Sequence, residues 1–273
     1  MSDSSYVWRQ LSPRTYLTTV DPHGVNVGLV VGDESAALID AGNDADQGAA
    51  LLSSAWKKAG VPVVHVVITH HHDDHWAGLA GMNGVESYGH ASLLDLQGPA
   101  PSDTFHLAKI VDLGGVRLEL LHLGDAHTRS DITVVVADEN VIFTGDLLES
   151  SGDPQFDETS SVQNWPTVLD GALGVSNQDT LFVPGHGEPV DRDFAFRQRA
   201  EISMIYSTAE MYVQQGVPLA DAYDKTEWPF GRETLETALP LVYDALAAKG
   251  IKPRTQLPIL GGGFGSRSED RSS

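Results

Sequence analysis

The sequence predicts a layered α/β fold on three observations: apolar β-rich runs of strand length, helical patterns set between and after them, and glycine-bearing turns separating neighbouring runs. The first pair is residues 25–31 and 35–40, parted by Gly32-Asp33-Glu34, which reads as a hairpin. A helix follows. Asn43 or Asp44 can cap it, Ala49, Leu52, Ala55 and Trp56 recur at helical spacing, and Gly60-Val61-Pro62 stops it. Residues 63–69 form a continuous apolar run, the pattern of a strand buried on both faces, and deliver the chain into His70. Residues 109–113, 116–122, 131–137 and 140–144 read as further strands, with Gly114-Gly115 and Asp138-Glu139 as turns. Residues 165–173 read as a helix, and 180–183 as a short strand ending in Pro184-Gly185-His186-Gly187. Two longer helices are expected at about 193–215 and 232–249. A single domain over residues 1–251 is therefore expected, followed by a loosely ordered polar, Gly-rich tail over 252–273.

Composition narrows the function. The 273 residues suffice to bury a substantial core. No stretch approaches the ~20 apolar residues of a membrane helix, and residues 1–16 hold no apolar run like that of a signal peptide. A soluble, cytoplasmic protein without a membrane partner is expected. Acidic residues outnumber basic ones by 38 to 17, a formal charge of −21 that repels a phosphate backbone. Nucleic acid is thus excluded as a partner, and a small-molecule substrate is expected. Cysteine is absent, so any metal site must be built from nitrogen and oxygen.

The chemistry-bearing segment is Thr69-His70-His71-His72-Asp73-Asp74-His75, four histidines and two carboxylates at the exit of a strand. If the chain stays extended there, His70 and His72 point to one side and His71 to the other. Asp74 and His75 then come within reach of a neighbouring position as the chain turns toward Trp76 and Gly78. Neutral imidazoles and a carboxylate suit zinc. The run is internal and follows a buried strand, unlike a surface histidine run or a tag. Further candidate ligands follow other strands: His127 in Gly124-Asp125-Ala126-His127-Thr128, Asp146 in Thr144-Gly145-Asp146-Leu147, and His186 in Pro184-Gly185-His186-Gly187. Each has a nearby glycine, which permits the tight turns that aim side chains into a shared cleft.

These motifs, in this order between about Val25 and Gly187, resemble the metallo-β-lactamase superfamily. The resemblance implies a four-layer αβ/βα sandwich, two sheets face to face with helices outside, and a two-metal site at one edge. It implies that His70, His72 and His127 hold the first metal, that Asp74, His75 and His186 hold the second, and that Asp146 bridges both. The commonest zinc β-lactamases place a cysteine near the position of Asp146 and are exported. An aspartate there is instead the pattern of lactonases and glyoxalase-II-like thioesterases, which points away from antibiotic destruction.

The expected activity is a dinuclear zinc hydrolase, with iron or manganese as possible substitutes. A metal-bridging hydroxide attacks the carbonyl of a lactone, ester, thioester or lactam, and Asp74 both holds the second metal and orients the attacking group. No nucleophilic serine is needed, since Gly-x-Ser-x-Gly is absent. The competing readings are an iron-dependent oxidoreductase or dioxygenase on the same scaffold, which would need a flavin domain after Lys252 or a mononuclear site, and a nuclease, disfavoured by charge. Structural roles are expected for His65, His106 and His122, and an outward-facing ring for His71. His90 is a candidate cap, and His23 a candidate substrate contact on a flap. Specificity is expected from the loop around His23, from residues 148–164, and from Tyr206, Tyr212, Trp228 and Phe230, which as aromatics also suit the core.

Overall fold

The computed structural model describes residues 6–252, so all of the expected tail beyond Lys252 lies outside the described residues. The N-terminal half runs β1 (Arg9–Gln10), β2 (Thr15–Val20), β3 (Val25–Val31), β4 (Ala36–Ile39), α1 (Ala45–Ala59) and β5 (Val63–Val67). A one-turn helix α2 (Asp73–Trp76) then leads to β6 (Glu86–His90) and β7 (Asp103–Phe105). The second half runs β8 (Ala108–Asp112), β9 (Arg117–Leu121), β10 (Thr133–Val136), β11 (Val141–Glu149), α3 (Trp165–Gly174) and β12 (Leu181–His186). Helices α4 (Arg192–Gln215), α5 (Leu219–Ala222) and α6 (Arg232–Ala248) complete it.

The strands pair in the order β7-β6-β5-β4-β3-β12-β11-β10-β9-β8, with β2 also on β3 and β1 on β2. Only the pair Val25↔His186 links β3 to β12, so the path folds there into two facing halves. Side-chain alternation sorts the core into three interfaces. In β4, Ala37 and Ile39 point inward to meet Val134, Val136, Val141 and Phe143 of the opposite half. Ala36 and Leu38 point outward, onto Leu51 and Ala55 of α1. On the other outer face, Val135, Ile142 and Phe182 pack beneath residues of α3, α4 and α6. Helix layer, sheet, sheet, helix layer is the αβ/βα sandwich. At its centre Gly28 leaves room for the Phe143 ring, which a Cβ there would meet at 2.4 Å.

Three sequence readings change. Helix α1 is capped by Asp44, whose side chain accepts from the Gln47 amide, but its buried face is Gly48, Leu51 and Ala55. Trp56 is 55 % exposed, because the helix turns its glycine, not its tryptophan, toward the neighbouring turn. Strand β11 does not end at Thr144; it continues through a bulge at Gly145 to Glu149, so Asp146 lies within it. Likewise β12 extends to include His186. Strands β2, β6 and β7 are short or mixed in polarity and carry no clear period of two in the sequence.

Gly48 yields a test of this packing, since a Cβ there would lie 1.9 Å from the Gly78 carbonyl oxygen. Alanine in a helix interior is ordinarily worth up to ~1 kcal/mol over glycine. Here Gly48→Ala should lower the thermal midpoint, because overpacking costs about 1–3 kcal/mol. An unchanged or raised midpoint would contradict the packing described.

Candidate metal centre

The site begins where β4 and β5 end side by side. Asp40 follows β4 in the left-handed region (φ 69), a conformation that costs a non-glycine residue about 1–3 kcal/mol. Its carboxylate holds it there. Oδ1 accepts the Thr69 amide at 2.8 Å, and Oδ2 accepts the Thr69 hydroxyl at 2.9 Å and the His75 Nδ1–H at 2.7 Å. The chain bends at His70 and His71, is extended again at His72, and enters α2 at Asp73. That single turn carries Asp74 and His75 to a second position.

Two groups of donor atoms result. His70 Nε2 and His127 Nε2 lie 3.1 and 3.0 Å from His72 Nδ1, and 3.6 and 3.5 Å from Asp146 Oδ2. In the other group His186 Nε2 lies 3.3 Å from His75 Nε2 and 3.4 Å from Asp74 Oδ2. Asp146 faces this group as well, with Oδ1 3.2 Å from His75 Nε2 and Oδ2 3.6 Å from His186 Nε2. The sets His70, His72, His127, Asp146 and Asp74, His75, His186 are each close enough to share one cation. All seven candidate residues are thus brought together.

The outer nitrogen of every ring meets an oxygen, which fixes the tautomer and turns the other lone pair inward. His70 Nδ1–H donates to Thr69 Oγ1 (3.1 Å), whose own proton goes to Asp40. His127 Nδ1–H donates to the Gln155 carbonyl (3.1 Å) and His186 Nδ1–H to the His23 carbonyl (3.0 Å). His72 is reversed: Nε2–H donates to Asp157 at 2.8 Å, leaving Nδ1 inward. Asp40 and Asp157 are functional residues that sequence reasoning missed. An acid closing the apolar run 36–40 is a usable signal for the first; nothing in the sequence pairs Asp157 with His72.

Two further features fit a cation. Asp146 Oδ1 is buried without a hydrogen-bond partner among the described residues. Gly185 gives it space, since a Cβ there would meet that oxygen at 1.8 Å and His75 Cε1 at 2.9 Å. Five imidazoles and two carboxylates form the nitrogen and oxygen set of zinc, and also accept iron or manganese. The charge balance agrees. Burial opposes protonation throughout, yet Asp146 and Asp40 raise His75 well above the ordinary histidine range, and bonds to Asp146 and Asp74 take His186 up to about 10. Burial keeps His70 well below that range and takes His127 down to about 4. Burial would raise Asp146, but His75 and His70 hold it well below the usual carboxylate range. The ionised Asp146 carboxylate favours positive charge beside it.

The centre opens into a cleft of about 660 Å³ lined by His23, Asp74, Glu149, Gln155 and Phe156 among others. Residues 148–164 therefore do reach the site. Tyr206, Trp228 and Phe230 pack instead in the helical layer, where Tyr212 is buried edge-on to the Trp228 ring. His71 stays outside the two groups of candidate ligands, bonded to Ser130 Oγ at 3.2 Å, and with His72 and Asp157 forms a separate, smaller donor group. His65 meets the Tyr88 hydroxyl, and His90 caps a 3-10 turn by accepting from the Ser92 amide.

A family model described as "Metallo-beta-lactamase superfamily" matches residues 20–191, which include all seven residues. The chain belongs to the metallo-beta-lactamase superfamily. It is a metal-dependent hydrolase of that superfamily. It is 27 % identical to a metallo-beta-lactamase type 2 of Bacteroides fragilis, over 69 % of this chain and 78 % of the relative. It is 35 % identical to a hydroxyacylglutathione hydrolase of Xanthomonas campestris pv. campestris over 45 % of this chain and 46 % of the relative. A solved metallo-beta-lactamase structure from Pontibacter korlensis shares the fold, with TM-score 0.65 and 22 % identity over 72 % of this chain and 98 % of that one. No described helix is long and apolar enough to cross a membrane.

His90 generates a pH prediction. Its ring is 8 % exposed and stacks on His122 at 3.8 Å; burial, then His122 and His106, take it down to about 4 from the ordinary 6.5. Between these values the unfolded chain binds more protons, so His90 lowers stability as pH falls through that window and has no such effect above it. His90→Gln should therefore lose less thermal stability than the wild type between about pH 7 and about pH 4.5. Parallel melting curves across this range would contradict the assignment.

Proposed function

We propose that the chain holds two divalent ions, zinc by preference, and hydrolyses a small-molecule carbonyl compound of the lactone, ester, thioester or lactam class. His70, His72 and His127 hold one ion, Asp74, His75 and His186 the other, and Asp146 stands between. The observation that carries this reading is the Asp146 carboxylate, with oxygens within 3.2–3.6 Å of ring nitrogens from both groups. Two cations held by these residues would supply a water acidic enough to ionise near neutral pH and a positive pole for the carbonyl oxygen. The chain's own residues do the rest. Asp74 lines the cleft, and although burial would raise it, its bond to His186 keeps the carboxyl below its ordinary range and ionised. It is placed to orient water and to take a proton from it. The outer partners hold the rings rigid, so little reorganisation accompanies reaction.

The relatives named for β-lactams and for hydroxyacylglutathione support carbonyl hydrolysis and leave the acyl group open. The test is a panel of lactones, thioesters, esters and β-lactams assayed with zinc-loaded protein, with chelation as control. Chelator-sensitive hydrolysis of at least one class is expected. Iron as the bound metal, with oxygen consumption and no hydrolysis, would favour the oxidoreductase reading instead.

Neighbouring histidines give the sharper contrast. His72→Ala removes an inward nitrogen and should abolish most turnover and weaken metal retention, whereas His71→Ala removes no inward nitrogen and loses the Ser130 bond and the ring contact with His72. Changes behind the ligands typically cost about 10–100-fold or less. Equal loss of metal in both variants would refute the ligand assignment.

A further inference from the structure

The metal cleft is not the end of the cavity. A second chamber of about 710 Å³ adjoins it, sharing Glu149, Ser151, Gln155 and Phe156 with the cleft and closed on its far side by the start of α6. Its chemistry differs from that of an anion site. The α6 N-terminus is already occupied, since Asp153 Oδ2 accepts the Gly231 amide at 2.6 Å and the Thr234 hydroxyl at 3.2 Å. Arg232, the chamber's basic lining residue, is bracketed by Asp224 (3.3 Å) and Glu236 (2.9 Å) and lies over the Tyr223 ring. Among the described residues, no lysine or arginine lines the metal cleft. An anionic arm therefore finds both the helix end and the guanidinium engaged.

Carboxylates remain. Glu233 is exposed at the chamber wall without a hydrogen bond or ion pair among the described residues. Glu149 is 5 % exposed and lines both spaces. Its Oε1 accepts the Ser151 amide and hydroxyl at 2.6 and 2.8 Å, while no described residue donates to Oε2. The residue is fixed in place by Gln198 of α4, which clamps its backbone amide at 2.9 Å and its carbonyl at 2.8 Å. A carboxylate held rigid between cleft and chamber, with one oxygen engaged by Ser151 and the other open to the cavity, presents an acceptor to a donor on the ligand.

We propose that this chamber is the subsite for a cationic arm of the substrate, a protonated amine carried away from the scissile carbonyl and received by Glu149 with Glu233 behind it. The proposal rests on the hydrolase reading and deepens it: the metal centre takes the carbonyl and the chamber selects the acyl or leaving group by charge.

The test uses straight-chain hydroxamates of increasing length, which bind metal at one end and terminate in ammonium, hydroxyl, methyl or carboxylate at the other. Calorimetry on the zinc-loaded protein should show the ammonium form binding about tenfold more tightly than the methyl form, the equivalent of ~1.4 kcal/mol and one charge-assisted hydrogen bond. The carboxylate form should bind most weakly. Glu149→Gln keeps the size and the Ser151 contacts and should bring the ammonium and hydroxyl forms to comparable affinity; Glu233→Gln, on the surface, should reduce the preference in part. Carboxylate binding as tight as ammonium, or a preference that survives both substitutions, overturns the subsite. Turnover of the matching esters is read separately. Ammonium-selective binding without hydrolysis of any ester counts against the hydrolase reading and supports the subsite, whereas hydrolysis of all four without selectivity overturns the subsite alone.

Discussion

A buried carboxylate facing imidazoles from three separate segments is the constraint around which this molecule is arranged. Asp146 receives His70 and His75 from the chain after β5, His127 from the chain after β9, and His186 from the end of β12. A charge so buried is costly unless compensated. The compensation shapes the backbone around it: the bulge at Gly145 lets β11 carry Asp146 into the site, and Gly185 stays bare because the carboxylate occupies the space its side chain would need.

Orientation is set one step further out. Asp40, Thr69, Asp157 and the carbonyls of Gln155 and His23 each take the outer proton of one ring, so that the inner nitrogens converge without any of them being free to rotate. The same shell joins the layers. Asp40 links the ends of β4 and β5, and His23 ties the β2–β3 turn to β12. Packing and chemistry therefore share parts, and the edge at which the two half-sheets meet, at Val25 and His186, is also the edge at which the metal centre lies.

Much of this was legible in the sequence. The buried run before His70, the tight His/Asp spacing and the glycines beside Asp146 and His186 are local signals, and the residues they mark meet in space. Less legible were features decided by tertiary contact. The buried face of α1 follows from the approach of Gly48 to Gly78, which helical spacing of apolar residues does not reveal. The extension of β11 past Thr144 depends on its pairing with β12, and Asp157 acts through a loop that has no period to read. The aromatic residues of the C-terminal helices proved to belong to the core, while the segment after Asp146 lines the cleft.

The central claim is that Asp146 serves two cations at once. Metal content of the zinc-equilibrated protein, measured by mass spectrometry beside that of Asp146→Ala, tests it most directly. The account predicts about two ions per wild-type chain and at most one in the variant, as two cations about 3.5–4 Å apart need negative charge between them. One ion in the wild type, or two retained without the carboxylate, would contradict it.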